Sequence, residues 1–162
     1  MEILNAATAE LKKLNVEVDY DLPHAELVVS LPGLADEVKR SISEEPNWCI
    51  LRRRDCPRGT TSVEVILCPS SGEMPALSLL KSRHLRPVFF PEFAAVLACD
   101  QVKELKLPCL GSLWVNHGQK KLLWWEKGSL HVCSHYTPFK GPEFFLPAIA
   151  HDDVANLMRM PL

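Results

Sequence analysis

Glycine is scarce in this chain, with seven among 162 residues, and none of them falls in a GxGxxG or GxxxxGK pattern. A dinucleotide fingerprint and a phosphate loop both need clustered glycines to bring backbone N–H groups onto phosphate, so both are excluded. The sequence also contains no GxSxG, no HExxH and no CxxC. Those absences remove the strained serine elbow, the zinc-protease helix and the paired-thiolate metal or redox motif. A dominant sign of charge is missing too: 18 basic and 20 acidic residues leave a formal net charge of −2. No global field therefore recruits nucleic acid or an anionic membrane. Long apolar runs are lacking. The stretches near Phe89–Cys99 and Phe144–Ala150 contain proline and fall far short of the roughly 20 residues that span a bilayer.

What is present points to a folded domain. Apolar residues make up 47% and charged residues 23%, a balance that excludes disorder and fibrous repeats. At this length one core is sufficient without metal or disulfide staples. Residues 1–162 are read as a single domain, with 70–75 the one place where a subdivision would fall. At the N-terminus Glu2 directly follows Met1, and Ile3, Leu4, Ala7, Leu11 and Leu14 recur at helical spacing. That pattern predicts an amphipathic helix over about 2–14 rather than a secretory signal, so a cytoplasmic location is expected. Six cysteines (Cys49, Cys56, Cys68, Cys99, Cys109 and Cys133) are then expected to be reduced, most of them acting as small buried hydrophobes.

Charge and aromatic content shift along the chain. Residues 1–50 carry ten acids against four bases, whereas 51–90 carry three acids against seven bases. Of the ten Phe and Trp residues only Trp48 precedes position 89, so the large core anchors sit mainly in the second half. Val16–Tyr20 alternates as a strand, and Ala25–Ser30 is an apolar run of strand length. Leu34, Val38 and Ile42 step by four and predict a helix that Pro46 ends. Trp48–Arg53 and Thr61–Leu67 read as a hairpin around a basic loop. Short helices are expected at 75–83 and 91–98, the latter with Glu92 in its first turn. Turn clusters at Asn116–Gln119 and Glu126–Ser129 divide Leu113–Tyr136 into a three-stranded meander. The tail, broken by Pro138, Pro142 and Pro147, ends in a short helix near 152–158. Thirteen prolines favour many short elements over a long bundle. The fold class is α+β: an antiparallel sheet with a C-terminal meander, flanked by short helices.

Four constellations carry chemistry. His131, Cys133 and His135 alternate along a strand and so share one face, and imidazole and thiolate are the ligands zinc prefers. If the second turn centres on Lys127-Gly128, Trp124 lies opposite His131 and Leu122 opposite Cys133. Zinc is implied only if that face converges on an ion; otherwise no cofactor is called for, and His131 simply packs on Trp124. Cys56, set among Arg52, Arg53, Arg54 and Arg58, has surroundings that favour thiolate, and Cys133 is the other candidate nucleophile. The same arginines, with Lys81, Arg83, His84 and Arg86, form a candidate anion-binding patch, or pair with the acidic first fifty residues. No aromatics are interleaved with them, which argues against nucleic acid. Finally, Trp124 and Trp125 are adjacent on a strand and must face opposite sides. Either the meander is covered on both faces, or Trp114, Trp124 and Trp125, with Phe144 and Phe145, contribute to an exposed aromatic surface of the kind that binds proteins. The reading is a soluble, non-enzymatic binding protein whose partner is another protein or its own copy. The alternative is a metal- or cysteine-dependent enzyme built on the His131/Cys133/His135 face.

Overall fold

The computed structural model describes residues 12–48, 58–70, 76–116, 118–133 and 144–150. The elements in chain order are β1 (Lys12–Asp19), α1 (His24–Val29), α2 (Asp36–Ser41), β2 (Asn47–Trp48), β3 (Thr60–Pro69), α3 (Ala76–Ser82) and β4 (Leu85–Pro87). Then follow α4 (Phe90–Leu97), a 3-10 turn (Asp100–Val102), β5 (Lys106–Asn116), β6 (Gln119–Glu126), β7 (Ser129–Cys133) and β8 (Phe145–Ala150). Two antiparallel sheets result, ordered β1-β3-β8-β4 and β2-β5-β6-β7. This is the α+β architecture with the expected meander, now β5–β7. Strand β8 lies between β3 and β4, so chain on either side of 71–75 shares one sheet.

Period-two patterning builds β1: Leu14, Val16 and Val18 are buried while Lys13, Asn15, Glu17 and Asp19 are exposed. The helix expected over 2–14 is corrected at its C-terminal end, because Leu14 continues the strand alternation of Val16 and Val18; residues 1–11 lie outside the described set. The run Ala25–Ser30 is also corrected, from strand to helix. Its buried positions are Leu27, Val28 and Leu31, a helical face, and Val29, which a strand would place beside Leu27, is 65% exposed. Pro23 stands just before this helix, and its carbonyl accepts from Leu27 N. Helix α2 follows expectation, burying Val38 with Ile42 just beyond its end. Acids at its start and Lys39 and Arg40 at its end suit the helix dipole.

Of the hairpin expected between Trp48–Arg53 and Thr61–Leu67, only Trp48 and the second strand fall among the described residues, and these two find other partners. All eight residues of β1 pair with β3, and Asn47 and Trp48 pair instead with Leu113 and Ser112 of β5. Residues 49–57 lie outside the described set, as does the helix expected near 152–158. The tail differs as well: Pro147 sits inside β8. Its carbonyl accepts from Val88 N at 3.3 Å, and N–H and C=O of one strand residue point to the same side. The donor that proline lacks would therefore face Val88, one step beyond the last pair on that side, Pro87 with Ala148. The Val88 carbonyl is taken by Gly111 N at 2.9 Å instead. Proline in an inner strand is thus tolerated because β5 supplies the missing hydrogen bond.

That bond marks the joint between the sheets. The β5–β6 register breaks between Cys109 and Trp114, and the irregular stretch serves other partners. Gly111 meets Val88, Ser112 Oγ accepts from Phe90 N at 2.9 Å, and Ser112 and Leu113 carry β2. Two apolar clusters fill the molecule. The larger holds β1, α4 and one face of the meander, with Leu123 and Trp125. The smaller holds α3, β4, β8 and the opposite face of β6, through Leu122 with Trp124 packed against it. Strand β6 packs on both sides, burying Trp125 fully on one and leaving Trp124 half-buried on the other, which accommodates the adjacent tryptophans.

Candidate functional site

Alternation along β6 and β7 decides where each candidate side chain lies. The register sets Trp124 against His131 and Leu122 against Cys133, as the turn at Lys127-Gly128 implies. The turn is locked from outside: the loop between α1 and α2 presses Gly33 (φ +62°) against it, where a Cβ would stand 2.4 Å from the Gly128 carbonyl oxygen. Indole and imidazole stack with centroids 4.6 Å apart and planes 28° from parallel. Phe144 also meets Trp124, edge-on at 5.8 Å. Lys106 Nζ lies 5.9 Å from the Phe144 ring centroid and 3.5 Å from Glu126 Oε2. Trp124, His131, Cys133, Lys106 and Glu126 are all half-buried. The result is a narrow aromatic strip with an ion pair at its border.

The other interface candidates are placed differently. Trp114 is 1% and Trp125 3% exposed; Trp114 packs edge-on against Phe90 at 5.0 Å, and both belong to the larger core cluster. Phe144 is buried and Phe145 half-buried. Each buried indole N–H lacks a hydrogen-bond partner among the described residues. The broad aromatic surface expected around three tryptophans is therefore reduced to the strip around Trp124.

His131 and Cys133 lie on one face as expected, with the His131 ring laid flat against Trp124; His135 lies outside the described residues. Among the described residues no three His, Cys, Asp or Glu side chains are gathered to hold a metal ion. Cys68 and Cys99 are free thiols. Burial pushes the thiols of Cys68 and Cys99 above their ordinary value, away from thiolate. Cys49 and Cys56 lie outside the described residues, as do Arg52, Arg53 and Arg54. Arg58, Lys81, Arg83 and His84 are exposed. Arg86 leaves that patch altogether, because it is buried and paired internally.

Sequence reasoning missed a polar network in the core. Arg86 Nη1 and Nη2 donate to Glu92 Oε1 and Oε2 at 2.9 and 2.7 Å, and the guanidinium lies 4.2 Å from the Phe89 ring centroid. Phe89 N donates to Glu92 Oε1 at 2.8 Å, which caps α4, and Tyr20 Oη donates to Glu92 Oε2. Glu92 is 0% and Arg86 5% exposed. Glu92 was legible as a first-turn acid, but nothing in the sequence connects it to Tyr20, 72 residues away. Tyr20 also lines a small open notch with Leu22, His24, Glu45, Pro46, Phe90 and Pro91 among others. His24 Nε2 donates to the Ile42 carbonyl at 2.8 Å. The tyrosine is held as a donor: burial first, then the Glu92 charge, pushes its phenol well above the usual 10.0.

The folded state keeps the phenol neutral, whereas the unfolded chain ionises it from about pH 10. Stability from this site is therefore full below that value and falls as pH rises above it. Tyr20→Phe is expected to cost about 1.5–3 kcal/mol near neutrality, the range for a hydrogen bond to a charged group. That cost should shrink towards about pH 11 in paired urea titrations; a gap independent of pH would contradict it.

No protein-family model, no curated protein and no solved structure matches this chain. No helix among the described residues is long and apolar enough to cross a membrane.

Proposed function

We propose that this protein is a non-enzymatic binding module that engages another protein, or its own copy, through the aromatic strip of β6 and β7. The observation that carries the reading is the half-buried Trp124 ring, stacked on His131 and met edge-on by Phe144. Rings already fixed by stacking lose little further freedom on binding, and such preorganisation is what separates a contact surface from an incidental aromatic. Tryptophan is favoured at the centre of interfaces, and the Lys106–Glu126 pair supplies the polar rim. The cytosol is the setting this reading assumes. Catalysis has less support, since Tyr20 is already engaged with Glu92 and the two described thiols with shifted pKa values are shifted away from thiolate.

The test uses a photo-crosslinking residue at Ser129, an exposed position on the same face as His131 and Cys133. Irradiation in the source cytosol is expected to give a discrete adduct that disappears when Trp124→Ala is added. An adduct that persists in that variant, or no adduct at all, would remove the reading.

A further inference from the structure

We infer that the outer edge of β1 is a self-association surface, on which a second copy of this chain adds its own β1 in antiparallel register. Strand β1 ends its sheet, and among the described residues it pairs only with β3. It is the longest free edge in the described fold, with eight residues, no glycine, no proline and an unbroken register from Lys12 to Asp19. The opposite edge, β4, has three residues including Pro87, and edge strand β7 has five. Edges that resist pairing are commonly short, bulged or proline-bearing, or carry charged side chains. Edge β1 is long, unbulged and free of proline, and the charges it carries are of both signs.

Its charges are arranged with two-fold complementarity. The exposed face reads Lys13, Asn15, Glu17, Asp19, positive at one end and negative at the other. Antiparallel pairing about Asn15 sets Lys13 of one copy opposite Glu17 of the other, twice, with Asn15 against Asn15 between them. Opposite charges directly across an antiparallel pair are stabilising and like charges destabilising. On the core side Leu14 meets Val16, so the two hydrophobic sheet faces run on continuously. A two-fold axis through Asn15 closes the assembly at a dimer. This surface is separate from the aromatic strip and does not depend on it.

The experiment is sedimentation equilibrium of the full chain up to about 0.5 mM, with Lys13→Glu and Glu17→Lys variants alone and mixed. Wild type is expected to dimerise, and each variant alone to show a dissociation constant raised about tenfold or more. The equimolar mixture should regain dimer, because Glu at 13 then faces Lys at 17 in one half and the native pair forms in the other. That recovery also shows both variants to be folded. A wild type that stays monomeric would overturn the inference, as would a dimer indifferent to both reversals, a mixture with no recovery, or a dimer lost with Trp124→Ala instead.

Discussion

Gly111→Ala is expected to cost at least about 3 kcal/mol, the range of severe overpacking and lost buried hydrogen bonds, and so to leave much of the chain unfolded at 37 °C. A Cβ at position 111 would stand 2.3 Å from the Val88 carbonyl oxygen, 2.8 Å from its carbon and 2.9 Å from Phe89 Cδ1. Two of those three neighbours are backbone, so no side chain can swing aside to make room. The substitution also attacks the bond from Gly111 N to Val88 O, which answers the donor missing at Pro147 and ties β4 and β8 to β5. Neighbouring anchors would move with it, since Phe90 N rests on Ser112 Oγ and Trp48 pairs with Ser112. Urea unfolding followed by tryptophan fluorescence reads the loss directly, because Trp114 and Trp125 sit in the core these strands enclose. An alanine variant within about 1 kcal/mol of wild type would mean the joint yields easily, and that the two sheets do not depend on it.

That joint was illegible in the sequence, and the reason is general. The meander could be read because its turns are local: Asn116–Gln119 and Glu126–Ser129 lie between strands that pair with their immediate neighbours. The register across β6 and β7 follows from the second turn alone, and with it the Trp124–His131 stack. Glycine 111, by contrast, is set with a single serine in an otherwise apolar run, and its requirement comes from Val88, 23 positions earlier. The same limit explains the wrong reading of Ala25–Ser30. A six-residue apolar run fits a strand or a helix equally well, and the choice rests on Leu31 and Ile42, whose burial is a tertiary matter. Aromatic pattern alone likewise placed Trp114, Trp124 and Trp125 together; only packing separates two core indoles from one at the surface.

Glu92→Ala is expected to destabilise the protein by about 3–5 kcal/mol, the usual result of breaking one side of a buried ion pair. The carboxylate accepts from both Arg86 nitrogens, from Tyr20 and from Phe89 N, so its removal strands a guanidinium that is 5% exposed. The figure measures an orphaned charge more than the worth of the pair. A second variant separates the two. Arg86→Met combined with Glu92→Met removes both charges at similar volume, and buried pairs replaced in this way are often near neutral. Here the phenol of Tyr20 and the Phe89 amide would still lack their acceptor, each at about 1–3 kcal/mol, so the double variant should fall short of wild type. Adding Tyr20→Phe should recover part of that shortfall. The double variant is expected to be more stable than Glu92→Ala by about 2 kcal/mol, a coupling typical of contacting residues. A double variant no better than Glu92→Ala would mean that the cost lies in the lost α4 cap and the tyrosine bond rather than in the stranded arginine. The network would then hold α4 against β1 chiefly through neutral donors, and its ion pair would contribute little to the fold.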